Sequence, residues 1–185
     1  MGPWIKWDLK INKVIVVTFI VGLLIGLGVG LITSINMTKS ANEMVRRFSI
    51  LAQKAIYMTD IVRVTDVAYI TPVAVFASYN ALKVSSVANL GIEPEIYLER
   101  PIDLVNITLN SLEEAKPPSE VEEFHKILIS KFSTLLNKLV EYKEDLKEGN
   151  LKPVEALKRY KEIANLCKEI LNLANAISNT LRKTV

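Results

Sequence analysis

From Val14 to Thr38 the chain carries no charged residue, and Lys13 and Lys39 close the run on either side. The hydrocarbon core of a bilayer needs about 20 apolar residues as a helix, and Val14 to Ile35 supplies them. This predicts a short tail over 1–13, a single transmembrane anchor helix over 14–35 and a separate domain over 36–185. The run is longer than the apolar core of a cleaved export signal. Its one small-x-small match, Thr38-Lys39-Ser40, is poor, so the segment is read as an uncleaved anchor.

After the anchor the pattern turns to helical periodicity. Ala41, Phe48, Ala55, Val62, Tyr69 and Phe76 recur every seven residues, with Met44, Leu51, Met58, Thr65, Pro72 and Tyr79 three positions on. A seven-residue repeat of this length predicts a helix seam. Pro72 lacks a backbone donor, so a break or kink is expected near Ile70 to Pro72. Val67 to Leu82 holds no charged residue, yet it is short and carries Thr71, Pro72, Ser78 and Asn80. It is therefore read as a helix covered by its own domain or by a neighbouring subunit, not as a second span.

Gly91, Pro94 and Pro101 punctuate a connection over 90–101, and Pro101 suits the first position of a helix carrying Ile102, Val105, Leu109 and Leu112. Lys116-Pro117-Pro118 ends that helix, and Ser119 with Glu122 has the spacing of a capping box. Val121, Phe124, Leu128, Phe132, Leu135, Leu139, Tyr142 and Leu146 then alternate at three and four, up to Gly149-Asn150. Pro153 opens a last helix with Leu157, Tyr160, Ala164, Cys167, Leu171, Ala174, Ile177 and Leu181. So short a link predicts an antiparallel C-terminal helix hairpin. No strand pattern competes. The expected fold is all-α: one N-terminal transmembrane helix and a bundle of about four helices. Its expected core is Phe48, Leu51, Val62, Phe76, Leu109, Phe124, Leu128, Leu135, Leu139, Leu157, Leu171 and Ile177.

The residues around the anchor refine its role. Gly22, Gly26 and Gly30 lie four apart on one helix face, which lets two backbones approach closely. Trp4 and Trp7 with Lys6, Lys10 and Lys13 read as a collar at the headgroup level. Cationic residues flank the run almost equally, Lys6, Lys10 and Lys13 before it and Lys39, Arg46 and Arg47 after. The free amino terminus and the position of Lys13 favour a cytoplasmic N-terminus and an extracellular domain. The sequons at Asn36 and Asn106 are compatible with that placement.

Charge and rare residues narrow the chemistry. Beyond the anchor, 20 Lys and Arg face 19 Asp and Glu, which leaves no basic footprint for nucleic acid. Acids dominate from Glu93 to Glu123 and bases thereafter, a distribution that fits solvated faces or head-to-tail contact between subunits. His125, the single histidine, falls among Glu122, Glu123 and Lys126 and is expected to be solvated. Cys167, the single cysteine, falls on an apolar face and is expected to be a core thiol. Pairing the two as nucleophile and base has no support in the local sequence, and His and Cys cannot assemble a four-ligand metal site. No catalytic residue, metal, cofactor or small-molecule substrate is evident, and the protein is expected not to be an enzyme.

Three functions remain. The first is a structural or assembly subunit at a cell or virus envelope, associating through Gly22, Gly26 and Gly30 and through the uncharged helix, with Tyr69, Val73, Phe76 and Tyr79 as its candidate subunit interface. The second is a tethered helical binding module displayed outside the cell. The third is an accessory subunit of a larger membrane complex. The partners expected are the lipid bilayer and either further copies of the chain or other membrane subunits. A hydrophobic N-terminal helix leading into a globular domain resembles type IV pilin-like subunits in outline. The basic residue followed by Gly that precedes the apolar run in that family is missing, so no assembly mode is carried over. The anchor stripe makes a direct prediction: Gly26→Leu lowers the mass of the detergent-solubilised chain measured by light scattering.

Overall fold

The computed structural model describes residues 37–88 and 91–183. Every regular element among them is helical. The long helix α1 (Met37–Ala88) is followed by α2 (Glu99–Glu114), α3 (Glu122–Lys147) and α4 (Pro153–Lys183), with 3-10 turns at Pro94–Leu98 and Ser119–Val121 leading into α2 and α3. The protein is thus all-helical, with one long apolar helix followed by a small bundle. The anchor run 14–35, its Gly22, Gly26 and Gly30, and the collar of Trp4, Trp7, Lys6, Lys10 and Lys13 lie outside the described residues.

The chain divides into a unit ending at Phe48 and a second from Ser49 to Val185. In the first, the described residues are the opening turns of α1, where Glu43 and Arg47 pair across one turn at 2.8 Å and Met44, Val45 and Phe48 are exposed. The second unit holds the buried core.

There, α1 buries Tyr57, Ile61, Val64, Ala68, Thr71, Val75 and Ser78, spaced alternately at four and three. This inner seam lies one residue before the expected one at nearly every step. Ile61, Ala68 and Val75 are buried while Val62 and Phe76 are 55 % and 45 % exposed, and Leu51 and Phe48, also expected in the core, are about as open. Large members, Tyr57, Ile61, Val64 and Val75, and small ones, Ala68, Thr71 and Ser78, are almost fully buried along this inner seam.

No break occurs at Pro72, and α1 runs through it. Proline in a helix interior costs about 3 kcal/mol. Burying Val64, Val67 and Val75 on either side of it outweighs that, at about 1.5–3 kcal/mol for each large apolar side chain. The hydroxyl of Thr71 donates to the Val67 carbonyl at 2.7 Å, so this buried side chain satisfies itself within the helix.

The bundle directions follow from cross-helix contacts. Lys131 pairs with Glu169 at 2.6 Å, Lys138 with Glu162 at 3.0 Å and Asp145 with Arg159 at 2.5 Å, so α3 and α4 run in opposite senses. Such exposed pairs add roughly 0–1 kcal/mol each and mainly mark the register. The seam they flank carries the stability. Leu128, Phe132, Leu135, Leu139, Tyr142 and Leu146 of α3 face Ala156, Ile163, Cys167, Ile170, Ala174 and Ile177 of α4, all buried. Of the other expected core residues, Leu109 is buried, whereas Phe124, Leu157 and Leu171 sit half-buried at its margin.

Helix ends differ in detail from expectation. Pro101 is the third residue of α2, not its first, which is equally harmless because first-turn N–H groups have no intrahelical acceptor. The capping box does not form: the hydroxyl of Ser119 donates to Glu120, and Glu122 is taken by Lys126 at 2.8 Å. At the other end of α3, Gly149 adopts φ 69°. Its N–H bonds to the Leu146 carbonyl at 3.1 Å and that of Asn150 to Asp145 at 3.1 Å, the paired closure of a Schellman motif.

Adjacent residues on α1 test the assignment of its faces. Ile61→Ala is expected to lower the unfolding free energy by about 2–5 kcal/mol, whereas Val62→Ala costs less than about 0.5 kcal/mol, both measured by denaturant titration of the solubilised chain.

Candidate functional site: the outer face of the long helix

The side of α1 turned away from its inner seam is apolar and open. Val62, Tyr69, Val73 and Phe76 are 55, 64, 69 and 45 % exposed. Ile56, Ile70 and Val84 flank them, also exposed. Scattered surface apolar residues need no explanation, but a contiguous stripe on one helix marks a surface that something covers. The ring of Phe76 leans on Tyr160 of α4, with centroids 5.3 Å apart, and so ties the edge of the stripe to the bundle. Tyr79 lies differently from its three companions in the sequence reading: it is half-buried, packs against the core and approaches Phe76 at 6.1 Å.

Among the described residues, one helix is long and apolar enough to cross a membrane by length and composition, Glu43–Ala88, with a most apolar window of mean hydropathy 1.4 that is 39 % buried. Its inner half is thus committed to the bundle while its outer half is compatible with contact to lipid or protein.

Beneath the stripe, a polar knot fixes how α1 sits on the bundle. His125 is buried at 6 % exposure, not solvated, because it falls on the α3 seam between Val121 and Leu128. Its Nδ1 lies 3.0 Å from the hydroxyl of Tyr57 on α1, and the two rings meet edge-on with centroids 5.5 Å apart. The imidazole tautomer sets which of the two donates. One buried histidine therefore joins α3 to α1, with the backbone of Leu112 at the end of α2 near enough to favour the charged form.

Around it, the Ser111 hydroxyl donates to Asp60 Oδ1 at 2.9 Å, and Arg63 donates to Ser111 at 3.0 Å. Lys54, itself almost fully buried, meets Glu120 at 2.9 Å and holds that carboxyl below the usual range by hydrogen bonding. Burial holds the His125 pKa below the ordinary imidazole value, partly opposed by Asp60 and Glu122.

Cys167 is buried in α4, and burial pushes its thiol up to about 12, so it is a packed apolar group and a poor nucleophile. Among the described residues, no three His, Cys, Asp or Glu side chains stand close enough to hold a metal ion. A groove of about 470 Å³ runs beside the α3–α4 link, and four of its charges pair across it, Lys138 with Glu162 and Arg159 with Asp145. Asn106 is exposed on α2, while Thr108 of the same sequon is buried. The sequence signal for the buried histidine was its phase, three residues before Leu128 and seven before Phe132; local polarity around it pointed the other way.

The knot titrates with a defined sign. A depressed imidazole pKa means that the unfolded chain, near 6.5, binds the proton first, so stability is complete above that pH and falls as the pH drops below it. Between about pH 7 and 5, above the carboxylate range, the unfolding midpoint of the chain is expected to fall, and His125→Phe is expected to flatten that slope. Tyr57→Phe leaves Nδ1 buried without its hydrogen-bond partner and is expected to cost about 1–2 kcal/mol at pH 7.5 by denaturant titration.

Comparison with protein-family models, with curated proteins and with solved structures finds no match for this chain.

Proposed function

We propose that this protein is a membrane-anchored structural or assembly subunit, whose helical bundle joins neighbouring subunits through the outer face of α1 at a cell or virus envelope. The observation that carries the reading is the exposure of Val62, Tyr69, Val73 and Phe76 in one uninterrupted helix, on the face opposite the one the bundle fills. An apolar stripe of this kind, left open, is an association surface. The anchor over 14–35 supplies the membrane and Gly22, Gly26 and Gly30 a second contact within it, with the domain outside the cell.

A structural role is favoured over a catalytic one by where the chain spends its reactive groups. The histidine closes a joint between α1 and α3, and the thiol fills the α4 seam.

Light scattering on the full chain in mild detergent tests the reading. A defined oligomer is expected. Tyr69→Lys combined with Val73→Lys is expected to reduce its mass while leaving the unfolding midpoint within about 0.5 kcal/mol, because both positions are exposed. A wild-type chain that is monomeric at all concentrations would overturn the proposal.

A further inference from the structure

The outer face of α1 has a finer pattern than a patch. Val62, Tyr69 and Phe76 are seven apart, and Asp66, Val73 and Asn80 each follow four residues later. The steps alternate four and three without interruption from 62 to 80, the spacing of a two-stranded coiled-coil seam. It is a second seam on the helix whose first seam, Tyr57 to Ser78, the bundle already fills. Asp66 is exposed like its apolar companions, and Asn80 is half-buried.

We propose that this second seam packs against the α1 seam of a second copy of the chain, parallel and in register. The inference rests on the assembly reading above and adds partner, direction and register to it. Direction follows from that reading: the anchor over 14–35 precedes α1 in the sequence of every copy, so copies inserted alike in one bilayer carry α1 in the same sense. Register follows from the polar positions. In a parallel pair each seam residue meets its own copy, so Asn80 meets Asn80, and a seam asparagine that bonds to its equivalent disfavours every shifted alignment.

Charge supplies the second constraint. From Val62 to Leu82 the only charged residues are Arg63 and Asp66. Asp66 would meet Asp66 of the partner subunit, a repulsion that the partner subunit's Arg63 offsets from less than one turn away. Arg63, 45 % exposed, is ordered at the seam's edge by its bond to Ser111 and by Asp60 3.9 Å away, and its guanidinium has further N–H donors to share. A shift of one heptad would set Asp66 against Val73 or Thr59 and bury the carboxylate against an uncharged position, at a cost in desolvation.

Cysteine cross-linking of the full chain in membranes tests the proposal. The native Cys167 is buried, so the wild type gives no background dimer. Val62→Cys and Val73→Cys are made singly, with the exposed Val154→Cys on α4 as control. On mild oxidation, both seam variants are expected to shift to a disulfide-linked species of twice the chain mass, and the control is not. An antiparallel pair can bring only one of the two seam positions onto itself, so cross-linking of one alone overturns the proposal. Cross-linking of neither in a chain that light scattering shows to be oligomeric also overturns it while leaving the assembly reading intact; this is the outcome if lipid or another face covers the stripe. A monomeric chain defeats both. As a second measurement, Asp66→Asn removes the like-charge meeting and is expected to lower the concentration at which the oligomer dissociates; a rise would overturn the register.

Discussion

The described bundle depends on the burial of one face of α1. Tyr57, Ile61, Val64, Ala68 and Val75 of α1 belong to the same buried cluster as the apolar seams of the shorter helices, with Thr71 and Ser78 buried beside them. Because this seam spans several turns on both sides of Pro72, its burial holds the helix together where local propensity would end it. The same burial sets which residues remain outside. Once the inner face is fixed, Val62, Tyr69, Val73 and Phe76 have no place in the core of their own bundle.

Apolar packing alone would allow α1 to slide by a turn, since alternating threes and fours repeat along it. The Tyr57–His125 contact removes that freedom. A buried imidazole of α3 paired with a hydroxyl of α1 favours one alignment, and the Asp60, Ser111 and Arg63 contacts reinforce it. Buried polar groups of this kind add little net stability when paired, but leaving one unpaired costs about 1–3 kcal/mol. Their effect is therefore on which packing is allowed. The core is not wholly satisfied elsewhere: the Thr108, Ser78 and Tyr142 hydroxyls lack a hydrogen bond of good geometry, although Ser78 is near enough to Tyr142 to favour its ionised form slightly against the burial that raises it to about 12.

The two faces of α1 connect fold to function. The inner face, Tyr57 to Ser78, makes the bundle; the outer face, with Val62, Tyr69, Val73 and Phe76, stays exposed. Burying Phe76 or Tyr69 would gain more per residue than burying Ala68 or Ser78, so the helix leaves large apolar side chains in the open.

Much of the helical content was legible from sequence because it rests on local signals. The three-and-four spacing from Val121 to Leu146, Gly149 after α3 and Pro153 at the start of α4 each act within a few residues, and the elements lie where those signals place them. The face of α1 was not legible. Ile61 and Val62, Ala68 and Tyr69, Val75 and Phe76 form two adjacent heptads, and periodicity alone cannot say which of them meets the bundle. His125 was misplaced for a related reason: charged neighbours outweighed its phase on the seam, and its partner Tyr57 is 68 residues away. By itself the sequence determined that the chain is helical, apolar at its N-terminal end and poor in reactive side chains, because composition and period are properties of short windows. Tertiary structure decided which seam is core and which is surface, because that choice depends on how closely three other helices can approach, and no window of α1 contains them.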